Sequence, residues 1–199
     1  MNLEVVRLVN SIYSSNTYCV IDTECKEVVL VDVGDVVPIV DLVVNSGCIL
    51  KRVFLTHAHF DHIYGLNLLL EQYPDIVIYT SKYGKDSLYS DKLNFSRYHE
   101  KPFVFKGDNV VVLNESSGVA IGNIELKIME TPGHNPGCLC YKLTDYFFTG
   151  DSYIPGIKVI TNLPGGDKLA NVNSLDKIKH EFYSGLVVCP GHGEMLRLE

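Results

Sequence analysis

No stretch of this 199-residue chain approaches the roughly 20 consecutive apolar residues that a membrane span requires, so no membrane partner is expected. The amino terminus, Met-Asn-Leu-Glu-Val-Val-Arg, lacks a basic segment followed by an apolar one. No signal peptide is read there, and a cytoplasmic location is the expectation. Cationic excess is missing too: 17 Lys and Arg stand against 24 Asp and Glu, a formal charge of −7 that disfavours a nucleic-acid partner. The six cysteines include no C-x-x-C pair, which argues against a zinc knuckle. Cys19, Cys48 and Cys189 sit beside aliphatic residues and read as small buried hydrophobes. Cys138 and Cys140 read as neighbours on one strand face, and Cys25 as the most exposed thiol. There is no low-complexity linker and no short repeat. The length suits one domain, residues 1–199, with enough chain for a substantial core.

What is present is concentrated chemistry. Residues 57–62 read His-Ala-His-Phe-Asp-His, one residue after the apolar run Val53-Phe54-Leu55. Two imidazoles two residues apart can close on one ion, leaving Asp61 and His62 to reach a second. Zinc and similar ions take such nitrogen and oxygen donors in sites that keep a position open for water. A polar loop rich in histidine is the plain alternative, but three imidazoles and an aspartate within six residues weigh against it.

Three further segments repeat the design. His134 lies in Thr-Pro-Gly-His-Asn-Pro-Gly, Asp151 in Phe-Thr-Gly-Asp-Ser, and His192 in Cys-Pro-Gly-His-Gly. Each follows a run that reads as a strand: Ile124 to Met129, Tyr146 to Thr149, and Leu186 to Cys189. Glycine and proline at these exits permit tight turns and close backbone approach. A histidine in one such turn reads as a turn residue; four repetitions at strand exits read as a site.

Further strands are expected at Leu3 to Val9, Thr17 to Ile21, Val28 to Val33 and Ile76 to Tyr79. Helices are expected at Val36 to Val44, closed by Asn45-Ser46-Gly47, at His62 to Gln72, and at Asn173 to Tyr183. The polar, ring-rich segment from Ser81 to Asn109 reads as two surface helices anchored by aromatics, with Tyr98 and His99 as candidates for substrate contact. His180 reads as solvent-facing. Two β-rich halves with helices outside them form a sandwich with the candidate ligands at one edge of the sheets.

These segments resemble the metallo-β-lactamase-fold hydrolases, and within them the small glyoxalase II-like proteins. The resemblance spans essentially the whole chain and includes Asn16-Thr-Tyr, Val31-Asp32-Val33-Gly34, and Asn162-Leu163-Pro164-Gly165-Gly166-Asp167. It implies an α+β fold, a four-layer αβ/βα sandwich. It also implies two divalent ions, zinc first, with iron or manganese as alternatives. His57, His59 and His134 would hold one ion, and Asp61, His62 and His192 the other. Asp151 would bridge them, because a carboxylate can span two cations whereas a neutral imidazole offers one lone pair. Asp61 and Asp151 are the candidate catalytic carboxylates. The implied reaction is hydrolysis of a small acyl substrate, a thioester first, by water activated at the ions.

Two departures bear on substrate. Small members commonly have Gly-Arg-Thr-Asp where this chain has Val159-Ile160-Thr161-Asn162, with Lys158 nearby as a cation. The sequence ends seven residues after His192, without the helical extension that carries much of the glutathione site in larger glyoxalase II enzymes. Lactoylglutathione is therefore a test substrate. The rival readings are an iron dioxygenase acting on persulfides through His57, His134 and Asp151 alone, and a lactonase or β-lactamase. A nuclease is disfavoured by the net acidity.

Overall fold

The computed structural model describes residues 3–199. The chain runs β1 (Leu3–Val9), β2 (Asn16–Asp22), β3 (Glu27–Val31), α1 (Val36–Ser46), β4 (Ile49–Phe54), α2 (Leu66–Gln72) and β5 (Val77–Thr80). It continues through α3 (Lys82–Leu88), β6 (Val110–Val112), β7 (Ala120–Ile121), β8 (Ile124–Glu125), β9 (Lys127–Glu130), β10 (Leu139–Leu143) and β11 (Tyr146–Gly150). The final elements are α4 (Lys168–Lys179), β12 (Val187–Pro190) and β13 (Leu196–Arg197).

One sheet has the order β1-β2-β3-β4-β5-β6, antiparallel up to β3 and parallel beyond it. A second has the order β13-β12-β11-β10-β9, in which β11 and β12 run parallel. The period-2 alternation of side chains decides how they stack. In β2, Tyr18 and Val20 face the second sheet while Cys19 and Ile21 face helices. In β10, Leu139, Tyr141 and Leu143 point back toward the first sheet, and Cys140 points away. Strands buried on both faces need apolar runs, which β2 supplies from Tyr18 to Ile21, β3 from Val28 to Val31 and β11 at Phe147 and Phe148.

Helices close the outer faces. Val36, Ile39 and Val43 of α1 and Leu66 and Leu69 of α2 pack on the first sheet, and Ile178 of α4 packs beside Met129 and Phe147 of the second. The result is the expected four-layer αβ/βα sandwich. Phe54, Tyr141, Phe147 and Phe148 are among its largest fully buried side chains, each contributing roughly 1.5–3 kcal/mol of transfer free energy. The sheets are stitched together at the ligand end: Leu139 N donates to Thr56 O at 2.7 Å, Tyr141 OH to Leu55 O at 2.7 Å, and Asn16 N to Gly191 O at 2.7 Å.

Four element boundaries differ from expectation. The α2 helix starts at Leu66 rather than at His62, because residues 60–62 form a 3-10 turn laced to the exit of β3. Val33 N donates to His62 O at 2.8 Å, and a Cβ at Gly65 would collide with Gly34 O. The run from Ile124 to Met129 divides into β8 and β9, since Glu125 pairs with Ala120 whereas Lys127 pairs with Lys142. The α4 helix spans Lys168–Lys179 instead of residues 173–183; Asp167 Oδ1 caps it by accepting from Leu169 N at 2.8 Å and Ala170 N at 3.0 Å. Between Ser81 and Asn109 only α3 and a 3-10 turn at Ser96–Tyr98 form. There the buried Asn94 amide donates to Ser87 O and Phe103 O, and Ser96 Oγ to Phe103 O, so side chains rather than a second helix tie the segment to the end of α3.

Candidate metal centre

The seven expected residues converge. His57 and His59 follow β4, Asp61 and His62 lie in the adjoining 3-10 turn, His134 lies between β9 and β10, Asp151 follows β11, and His192 follows β12. Parallel pairing of β3 with β4 and of β11 with β12 brings these exits to one end of the sandwich.

Hydrogen bonds orient the rings. Thr56 Oγ1 donates to Asp32 Oδ2 at 2.7 Å, so at 3.2 Å from His57 Nδ1 it can only accept; His57 Nδ1 carries the proton and Nε2 a lone pair. His62 Nδ1 donates to Asp32 Oδ2 at 2.9 Å, His134 Nδ1 to Ile160 O at 2.8 Å, and His192 Nδ1 to Tyr13 O at 3.1 Å. Each of these four rings thus aims Nε2 inward. His59 is turned the other way, with Nδ1 at 3.0 Å from His134 Nε2 and Nε2 at 3.0 Å from the Asn135 side-chain amide. Anchoring one ring nitrogen on an oxygen while freeing the other is how metal-binding histidines are usually held.

The inward atoms fit cations. His57 Nε2, His62 Nε2 and Asp151 Oδ1 are buried without a hydrogen-bond partner among the described residues, a costly state that a bound ion would relieve. One set, His57, His59 and His134, and another, Asp61, His62 and His192, each bring three ligand atoms within 4.8 Å of one another. Two donors about 2.0–2.1 Å from one ion at the tetrahedral angle stand about 3.4 Å apart. Asp61 Oδ2 lies 3.4 Å from His62 Nε2 and 3.3 Å from His192 Nε2. Asp151 faces both sets: Oδ2 lies 3.5 Å from His134 Nε2 and 3.5 Å from His192 Nε2, and Oδ1 lies 3.6 Å from His62 Nε2. A third grouping, Asp32 with His57 and His62, is a different object. Asp32 already accepts from Thr56 N at 2.8 Å, Thr56 Oγ1 and His62, so its carboxylate is consumed in orienting the others.

Electrostatics divide the two sets. Burial, reinforced by neighbouring imidazoles, holds His57 well below its ordinary value and His59 at about 3, so both are neutral at pH 7 with a lone pair available. Burial also disfavours charge on His62, yet Asp61, Asp151 and Asp32 outweigh it and lift this ring to about 9. His192 rises against burial to about 10 through Asp151 and Asp61. The Asp151 carboxyl is held well below the usual range, the surrounding imidazoles overcoming the cost of burial.

The centre floors a cleft of about 590 Å³ whose walls include Tyr13, Phe60, Phe95, Tyr98, His99 and Leu163. Tyr98 and His99 therefore stand where expected for substrate contact. Sequence reasoning missed Tyr13 and Phe60, took Phe95 as one of the anchoring aromatics of the Ser81–Asn109 segment, and assigned no role to Asp32. The signal for Asp32 was an acid interrupting the apolar run Val28 to Val33; it takes a left-handed φ of 59° and is buried. Lys158 lines a second pocket of about 250 Å³ that shares His134, Asp151, Ile160 and His192 with the cleft. Of the cysteines, Cys25 is exposed and the others are buried, and His180 faces solvent beside Asp176.

Comparison with known proteins agrees with this geometry. The family model for the metallo-beta-lactamase superfamily matches residues 12–192. Among solved structures, the BLEG-1 B3 metallo-beta-lactamase superposes with a TM-score of 0.89 at 24% identity, covering 98% of this chain and 94% of that one. TTHA1623 in a di-iron-bound form gives 0.82 at 27% identity, covering 97% and 94%. ETHE1 from Myxococcus xanthus gives 0.79 at 24%, covering 98% and 79%. With a family match across nearly its whole length and the same architecture, this chain belongs to the metallo-beta-lactamase superfamily, a fold of metal-dependent hydrolase type.

Proposed function

We propose that the protein hydrolyses a small acyl substrate, a thioester or related ester, using two divalent cations. His57, His59 and His134 would hold one; Asp61, His62 and His192 would hold the other; Asp151 would be shared. The observation that carries this reading is the position of the Asp151 carboxylate between two preassembled donor sets, with one oxygen left unpaired. When bound, such ions polarise an acyl carbonyl and bring the pKa of water to about 7. Zinc suits the donors best, and the di-iron-bound form of TTHA1623 keeps iron as the alternative.

The chain's own groups supply the rest. The Asp61 carboxylate lies on the cleft floor, and its oxygen not turned to His62 and His192 would accept a hydrogen bond from the attacking water and orient it toward the acyl carbon. The Asp32–Thr56–His57 and Asp32–His62 chains keep both rings from rotating. Water adds to the carbonyl carbon and the carbon–sulfur bond breaks; one water proton ends on the leaving sulfur and the other is released to solvent, so the products are a carboxylate, a thiol and a proton.

A mononuclear iron oxygenase using only His57, His134 and Asp151 is less supported. It would leave the donors of Asp61, His62 and His192 assembled for nothing. Turnover of a β-lactam or lactone is the closer rival, favoured by the likeness to the BLEG-1 B3 metallo-beta-lactamase. The test is chelation. Stripping the protein should lower S-acyl thioester hydrolysis by at least about 100-fold, and two equivalents of zinc should restore it. Undiminished turnover by fully stripped protein would refute the proposal.

A further inference from the structure

Resting on that hydrolase reading, we infer that the substrate presents an uncharged, apolar portion to the larger cleft, and that the enzyme prefers aliphatic acyl compounds to conjugates of a multiply charged thiol such as glutathione. Two independent observations meet here. Large apolar side chains are left open to solvent around the cleft: Tyr13 is 68% exposed, Tyr98 78%, Ile160 55% and Leu163 39%. Together with Phe60 and Phe95 they form most of the wall above the metal-facing histidines and aspartates, with His99 and Pro164 completing it, and apolar surface of this kind marks a binding site.

The second observation is charge. None of the described residues lining this cleft is Lys or Arg, and its two acids, Asp61 and Asp151, face the metal positions. Lys158 lies outside this cleft, in the smaller adjoining pocket that shares His134, Asp151, Ile160 and His192 with it. A glutathione conjugate carries two carboxylates and an ammonium, and moving these charges against an apolar wall costs hydration that the wall's own side chains do not return.

Backbone strain at the rim points the same way. Tyr13 and Ser14 are consecutive non-glycine residues at φ 53° and 54°, a conformation that costs free energy and is kept where surrounding structure requires it. It places the Tyr13 carbonyl on His192 Nδ1 and the Tyr13 ring on the cleft. The same turn therefore orients a proposed ligand and supplies apolar wall, coupling the apolar rim to the centre.

The experiment separates binding from chemistry. Calorimetric titration of zinc-loaded protein with non-hydrolysable thioethers, S-ethyl-, S-butyl- and S-hexyl-N-acetylcysteamine and S-hexylglutathione, reads the cleft whether or not turnover occurs. Full burial of a methylene corresponds to about a fourfold gain in affinity, so a half-open cleft should give about twofold per methylene. From ethyl to hexyl the dissociation constant should tighten about tenfold or more, and S-hexylglutathione should bind no tighter than the neutral hexyl compound. In Leu163→Arg the glutathione conjugate should gain and the neutral compound lose, each by about threefold or more. Affinities independent of chain length, or S-hexylglutathione binding tenfold tighter than its neutral counterpart, would overturn the inference. Absence of thioester turnover in the same preparation would instead count against the hydrolase reading.

Discussion

Asp32 shows how much the centre depends on residues that touch no substrate. Its carboxylate is buried and accepts from Thr56 N, Thr56 Oγ1 and His62 Nδ1. Replacing it by alanine would strand two buried donors and release the His62 ring. Asp32→Ala should destabilise the protein by about 2–5 kcal/mol and weaken the ion at the Asp61–His62–His192 set by about 10–100-fold. The ion at His57, His59 and His134 should be affected less, since only the Thr56 link to His57 is loosened. Competitive metal titration checks this, and unchanged affinity at both sets would contradict it. The ligand types were legible because metal chemistry restricts them to a few side chains and the turn residues around them repeat. Asp32 was not assigned because an acid inside an apolar run carries no label for its partner, which lies 30 positions away.

At the scale of elements, legibility followed the strength of local signals. The β1 strand and the α1 helix with its left-handed Gly47 stop at φ 64° match their expected spans closely, because alternation or a glycine stop marks them. The α4 helix was misplaced because its start is set by the Asp167 side chain and only Ser174 and Ile178 are buried, too few to show a period. The Ser81–Asn109 segment misled for a different reason. Its aromatics were expected to anchor surface helices, but Asn94 and Ser96 satisfy the backbone through side chains and turn Phe95, Tyr98 and His99 onto the cleft. Side-chain substitution for helix hydrogen bonds has no periodic signature. Gly191 is the opposite case: the Pro-Gly-His turn was recognisable, and a Cβ there would strike Asp151 Oδ1, so glycine is required for β12 to approach that carboxylate.

For the whole molecule, the imidazole shifts set how metal-free stability varies with pH. Unfolded, all these rings titrate near 6.5. Folded, His57 and His59 refuse protons, so as pH falls below 6.5 the unfolded chain gains protons the native state does not, and stability drops. His62 and His192 are protonated in the fold up to about 9 and about 10, a contribution fully present below 6.5 and lost as pH rises through those values. Asp61 and Asp151, depressed below 3.8, add stability that disappears only in stronger acid. Chelator-treated protein should therefore be most stable near pH 6.5 in denaturant titrations, and stability climbing steadily from pH 6.5 to 9 would contradict these assignments.

The central claim is that a carboxylate from one sheet joins two donor sets around a pair of cations. Elemental analysis of wild type and Asp151→Ala, purified without added metal and assayed side by side on a thioester, tests it most directly. Wild type should hold two ions per chain and the variant fewer than two, with turnover in the variant reduced by roughly a thousandfold or more. A variant that retains both ions and full activity would contradict it.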